Sequence, residues 1–418
     1  MRGCAGQQPG TGKKGICRGL NINLKIGAAR DMSVRTALLQ AFMTMLIVTS
    51  CSETYFPEPE SQGGWRKNTD PDFLISLDLN PKGVSNFLAY NLQVEDSTSA
   101  IVIKDGWIVG EWYAKKKKVA QDKKIYVASV GKSIALACFG IAVKDGEDGR
   151  LPVNINRFSK LYDKRWIAEG FPLSDPRKRD ITFEQVFRHT AGFAAEGAVN
   201  REGRDQQADY TAWVVGHDPQ YPQTRDLAYS PGEPEEYAEP EQWGEQLGLY
   251  SSLGFAHLSL MFSQLYEMPA EDFLWDRLLK KIGFSGIEFH NPPSPPAIKW
   301  FSGGGLKMTT RDLARFGYLM LHDGSWKGEQ ILPQGWVRSF VTTPYYPNLR
   351  SNVDGYLHDQ FPKDLYRMYG SGGNFVFVVP ALDLIAIRTG HSDNFFLERL
   401  QRDLVRRIFD MHISYRPL

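Results

Sequence analysis

Apolar positions in this chain follow two textures. Near residue 100 and again near 380 they come in short β-branched and aromatic runs. Residues 100–103 and 107–112 flank Lys104-Asp105-Gly106, a pattern that predicts a hairpin over 99–113. Residues 374–379 and 382–388 predict a second hairpin across Pro380-Ala381. Elsewhere the spacing is helical: 252–266, 270–282 ending at Gly283, 310–322 closed by Asp323-Gly324, and an amphipathic 395–411. Thr182 with Gln185 three residues on reads as a capping box for a short helix over 181–188. Residues 134–143 are apolar on every helical face, so that helix is expected to be buried. Two distant hairpins with helices between and after them predict an α+β fold: one antiparallel sheet flanked by helices, with an inserted, mainly helical subdomain. The α/β part is placed at 76–143 and 300–418, and the helical part at 144–299.

The first 75 residues do not share this texture. Residues 1–31 are Gly- and Lys-rich without apolar periodicity and are expected to be a non-native extension ahead of Met32. Arg35, the apolar run 37–50 and Cys51 then read as a signal peptide, with an uncleaved anchor helix as the alternative. Val48-Thr49-Ser50-Cys51 resembles the lipobox of bacterial lipoproteins. The resemblance implies lipidation at Cys51, export and anchoring at the cell envelope. Residues 52–75, with Pro57, Pro59, Gly63, Gly64 and Pro71, are expected to be a linker.

Charge and cysteine content narrow the chemistry. A net charge of +1 gives no field for nucleic acid, and the lysine run 115–118 reads as a solvated hairpin tip. Cys4, Cys17, Cys51 and Cys138 form neither a disulfide framework nor a C-x-x-C site, and Cys138 lies in an apolar run as a core residue. No metal and no cofactor are expected.

Chemistry concentrates in Tyr126-Val127-Ala128-Ser129-Val130-Gly131-Lys132-Ser133. Residues i and i+3 share a helical face, which brings the Ser129 hydroxyl and the Lys132 ammonium within reach of each other. A serine attacks poorly until a neighbour takes its proton, and a lysine in a closed pocket can do so. Taken alone, such a pair is far more often a helix start followed by a surface lysine. Gly131-Lys132-Ser133 also imitates the tail of a phosphate-binding loop, but the first glycine that loop requires is Tyr126. His189 could serve as a base; the turn role beside Gly192 is preferred, because S-x-x-K brings its own lysine.

Six motifs then occur in a fixed order: Ser129-Val130-Gly131-Lys132; Arg188-His189-Thr190-Ala191-Gly192-Phe193; Pro231-Gly232; Tyr250-Ser251-Ser252-Leu253-Gly254; Gly304-Gly305-Leu306 with Thr309-Thr310-Arg311-Asp312; and Gly370-Ser371-Gly372-Gly373. Over residues 76–410 this order resembles serine hydrolases related to class C β-lactamases, a group with penicillin-binding D,D-peptidases, esterases and 6-aminohexanoate-dimer hydrolases. The resemblance implies a β-lactamase/transpeptidase-like fold and a small-molecule or short-peptide substrate. It makes Ser129 the acylated nucleophile, Lys132 its activator and Tyr250 the proton shuttle, with Tyr237 as the alternative tyrosine. Ser129 and Gly373, beside Gly372, would supply the oxyanion amides. Ser252 stands on the substrate side where many members have Asn, and Gly370-Ser371-Gly372 replaces Lys-Thr-Gly or His-Thr-Gly. Loss of that cation points to an ester or amide substrate in preference to a β-lactam. A weakly catalytic peptidoglycan- or peptide-binding protein on the same scaffold is the other function considered.

Overall fold

Both expected hairpins form. In the computed structural model, which describes residues 54–194, 209–232, 250–289, 301–341, 349–351, 362–392 and 397–414, β1 (Ser97–Lys104) turns into β2 (Trp107–Tyr113). From the far end of the chain come β3 (Leu349–Ser351), β4 (Tyr366–Gly370), β5 (Asn374–Val379) and β6 (Leu384–Gly390). They join in one antiparallel sheet of order β2-β1-β6-β5-β4-β3, with Ile101 opposite Ile387 and Val376 opposite Ile387. The chain divides into units 1–54 and 55–418, and this fold belongs to the second.

Both faces of the sheet are covered, so its strands read as continuous apolar runs. Ile101, Ile103, Val376, Val378, Ile385 and Ile387 enter one core, while Ala100, Val102, Phe375, Phe377 and Ala386 enter the other. Side chains alternate along each strand, and here both sets find apolar neighbours. The second core is closed by α1 (Pro81–Gln93) and α7 (Leu397–Asp410), through residues such as Phe87, Leu404 and Ile408.

The first core holds the helical layer. Helix α2 (Val130–Glu147) is buried at every position from 130 to 143, as its all-apolar pattern requires. α3 (Phe183–Phe187) starts at the Thr182–Gln185 capping box. α4 (Tyr210–Val215), α5 (Ser252–Tyr266) and α6 (Thr310–Leu321) follow. The helix expected over 270–282 is instead a short α-helix, Ala270–Leu274, that widens into a π turn over Trp275–Leu279.

Two expectations are corrected. The lysine run is a short 3-10 turn, Lys115–Lys117, leading out of β2 and not a tip between strands. The stretch 52–75 is not a free linker, since from Tyr55 onward it is packed on the body. Trp65 is 5% exposed within the main core, and Tyr318 donates to the Tyr55 carbonyl at 2.9 Å. Glu60 takes hydrogen bonds from Arg311 and Arg315, both at 2.9 Å. Arg311 also grips Glu111 through two bonds of 2.8 Å, and although burial opposes it, that fork holds the Glu111 carboxyl down at about 2. Pro and Gly shape this stretch into turns, while its aromatics and Glu60 dock it.

Candidate active site

The approach to Ser129 is built from backbone. Residues Ile125–Tyr126 pair with Leu306–Met308, and the Val127 amide continues the ladder by donating to Leu306 O at 3.1 Å. Ala128 then adopts φ +49°, a left-handed conformation costing roughly 1–3 kcal/mol for a residue with a side chain. That reversal drops Ser129 at the cap position of α2, with φ −69° and ψ 0°. The Lys132 amide returns to Ser129 O at 3.0 Å, so the first turn is closed and the half-buried Ser129 side chain stands at its head.

Lys132 has no exposed surface. Its Nζ donates to Ser129 Oγ at 3.1 Å, Ser252 Oγ at 2.9 Å and Gly303 O at 2.6 Å. Two of these partners are hydroxyls, which can donate as well as accept, and one is a carbonyl, which only accepts. The carbonyl contact depends on two glycines: a Cβ on Gly131 would lie 2.9 Å from Phe301 O and 3.0 Å from the Gly304 Cα, and Gly304 itself has φ +130°. Without side chains at either position, the 301–304 turn rides directly on the helix and Gly303 O reaches Nζ. The phosphate-loop imitation at 131–133 is thus ordinary buried helix.

Tyr250 lies with its ring toward this ammonium, the centroid 4.8 Å from Nζ. Its other neighbour is His189, stacked at 4.2 Å and 25°. His189 is a turn residue, with φ +60°, and is 5% exposed. Its Nδ1 accepts the Ser251 amide at 3.0 Å, so the ring proton sits on Nε2 and the imidazole is neutral. The motif that suggested only a turn therefore also supports the tyrosine and its loop. One helical turn further, His257 is pushed down to about 3 by burial; its Nδ1 donates to Leu253 O at 2.9 Å, and Nε2 accepts from the Tyr162 hydroxyl at 2.8 Å. These two neutral histidines fix the start of α5, where Ser252 is the first residue.

Opposite Ser129 runs the end of β4. A Cβ on Gly370 would lie 2.2 Å from Val127 O and 3.1 Å from the amides of Ser129 and Val130, so only glycine fits there. Gly372 and Gly373, both with positive φ, turn their carbonyls to Arg388 at 2.7 and 2.6 Å. The glycine that meets the Ser129 amide is therefore Gly370, with Ser371 next in line. Arg388 is fully buried on β6 and also bonds Ser97 and Ser392, while burial pushes its guanidinium down to about 10.

The structure brings together Ser129, Lys132, Tyr250 and Ser252. It adds Gly303 and Arg388, which no local spacing announced, and within the 370–373 motif it sets Gly370 against the Ser129 amide. Tyr237 and Cys51 lie outside the described residues. Cys138 is buried in α2, which pushes its thiol up. Among the described residues no group of three or more His, Cys, Asp or Glu side chains is placed to hold a metal.

Residues 93–407 match the family model described as Beta-lactamase. Among solved structures the chain is similar to a penicillin-binding protein homologue from Caulobacter crescentus, with 13% identity, 80% of this chain and 96% of that one covered, and a TM-score of 0.55. It is also similar to EstCE1, a hydrolase with promiscuous acyltransferase activity, with 13% identity, 83% and 99% coverage and a TM-score of 0.54. A class C beta-lactamase aligns with 12% identity, 81% and 97% coverage and a TM-score of 0.53. At these identities the likeness establishes the β-lactamase/transpeptidase-like fold. No curated protein matches the sequence.

Proposed function

Because the chain belongs to the Beta-lactamase family, we propose that it is a serine hydrolase that cleaves an ester or amide through an acyl-enzyme on Ser129. The observation that carries this reading is the bond between Ser129 Oγ and a fully buried Lys132 Nζ, which also meets the Ser252 hydroxyl and the Gly303 carbonyl. In its neutral form Nζ accepts the Ser129 proton as Oγ attacks, the hydroxyl then being the donor of that pair. The oxyanion is received by the Ser129 amide and by an amide of the adjoining strand end, where Ser371 follows Gly370. The proton then has to reach the leaving group from beside Lys132, where the Tyr250 ring and the Ser252 hydroxyl stand. The sequence Gly370-Ser371-Gly372 offers no cation for a substrate carboxylate, which favours esters and amides over β-lactams.

The test is turnover of short-chain p-nitrophenyl esters together with fluorophosphonate labelling. Wild type should be labelled on Ser129, and Ser129→Ala should lose turnover by at least about 10³-fold. A folded Ser129→Ala variant with full activity would rule the reading out.

Delivery to the cell envelope by a lipid on Cys51 is the second part of the proposal, supported by the 32–51 pattern. Metabolic labelling with a fatty acid in a bacterial host should mark the wild type and spare Cys51→Ala. An unlabelled wild type would remove the anchor from the scheme.

A further inference from the structure

Lys132 is hydrogen-bonded to two serine hydroxyls, and only one of them is the nucleophile. Ser252 Oγ, at 2.9 Å, is as close to Nζ as Ser129 Oγ is at 3.1 Å. Ser252 is 6% exposed, the first residue of α5, and held in place by the Ser251 amide bond to His189 on one side and the His257 bond to Leu253 on the other. A hydroxyl can accept from a nitrogen and donate onward in the same instant, whereas an amide side chain such as Asn cannot pass a proton through itself. Where many relatives carry Asn, this chain therefore carries a group able to relay.

We propose that Ser252 is a catalytic proton relay, delivering to the leaving group the proton that Lys132 takes from Ser129. The inference rests on the acyl-enzyme reading above. In acylation the Ser129 Oγ–H proton passes to neutral Lys132 Nζ as the Oγ–carbon bond forms. When the carbon–leaving group bond breaks, the leaving oxygen or nitrogen takes the Ser252 Oγ–H proton, and Ser252 is reprotonated by the Lys132 ammonium. Lys132 ends neutral, Ser252 is unchanged, and one proton has moved from the nucleophile to the departing alcohol or amine. Deacylation runs the same path backwards: water gives its proton to Ser252, Ser252 hands one to Lys132, and Lys132 restores Ser129 as the ester oxygen leaves. The Tyr250 ring borders the ammonium and is itself stacked on His189, which suits it to shape the site around Lys132.

A relay matters in proportion to the basicity of the group that must be protonated, and general acids typically contribute 10²–10⁴-fold. The experiment measures kcat/KM for p-nitrophenyl, phenyl and alkyl esters of one acyl group on wild type, Ser252→Ala, Ser252→Thr, Ser252→Asn and Tyr250→Phe. Fluorophosphonate labelling of Ser129 in each variant shows that the site is intact. Ser252→Ala and Ser252→Asn should lose about 30-fold more on the alkyl ester than on the p-nitrophenyl ester, with Ser252→Thr recovering most of that difference. A loss of equal size across the series gives Ser252 a structural role and overturns the relay. So does an unchanged slope in Ser252→Ala, or a steepened slope confined to Tyr250→Phe. If wild type neither turns over any ester nor is labelled at Ser129, the acyl-enzyme reading fails, which is a separate result.

Discussion

Two fully buried lysines in this molecule are bonded in nearly the same way. Lys132 donates to a serine hydroxyl on its own helix, a second hydroxyl and a main-chain carbonyl. Lys178 donates to Ser174 Oγ at 2.7 Å, Val215 O at 3.0 Å and Thr224 O at 3.2 Å. A serine beside a buried lysine is therefore not sufficient for chemistry. The Ser174 hydroxyl is already directed at Val215 O and Arg225 O, and Lys178 caps the last carbonyls of two short helices, where a cation is favoured. Ser129 instead follows a left-handed Ala128 at a helix head, with bare backbone from Gly304 and Gly370 pressed around it. What separates a nucleophile from a structural clamp is the main chain around the pair.

The strongest way to break that contrast is to remove each serine. Ser129→Ala should cost at least about 10³-fold in ester turnover, whereas Ser174→Ala should leave turnover within about twofold and show only as about 1 kcal/mol lost in urea unfolding. Comparable losses of turnover from both would erase the distinction. Next comes the frame: Gly370→Ala places a methyl 2.2 Å from Val127 O, and displacing the chain by even part of an ångström should cut kcat about 10²-fold while the protein still unfolds cooperatively.

The charge on Lys178 sharpens the comparison through pH. Burial pushes its ammonium down to about 8, with Asp175 opposing, from 10.5 in the open chain. Between those values the unfolded chain binds the extra proton, so stability contributed at this site rises with pH, by up to about 3 kcal/mol. Urea midpoints at pH 7.5 and 10 should show that rise in wild type and lose it in Lys178→Met. The smallest effect concerns positioning: Arg388→Lys replaces a guanidinium, whose Nη1 holds two carbonyls of the 371–373 turn while Nε and Nη2 hold Ser97 and Ser392, with a single point charge. It should lower kcat roughly tenfold with KM held, and a change confined to KM would argue against a role in setting that turn.

Much of this was legible in local spacing because local spacing caused it. The hairpins, the all-apolar α2, the Thr182–Gln185 box and the Ser129–Lys132 pair each depend on residues within a few positions of one another. What stayed hidden is long-range. Gly303 and Ser252 reach Lys132 across 171 and 120 residues, and nothing in Gly-Gly-Gly-Leu marks a carbonyl as an amine's partner. In a run as glycine-rich as 370–373, composition does not say which glycine touches Ser129; β4 ending at Gly370, and Arg388 holding the next turn, decide it. Likewise the Pro and Gly of 57–64 read as a tether because their turns are visible in sequence, whereas the partners of Glu60 lie 251 and 255 positions away.

The glycine contacts around Ser129 have a consequence for how this site can diversify. A wall made of main chain presents no side chain for mutation to enlarge, shrink or recharge, and Gly131, Gly304 and Gly370 leave no space for one to be acquired. Selection for a new substrate is then channelled away from the ground beneath the reacting atoms and toward residues that overhang it. A saturation library should therefore return almost no survivors at those three positions, and its altered-specificity variants should come from the surrounding loops.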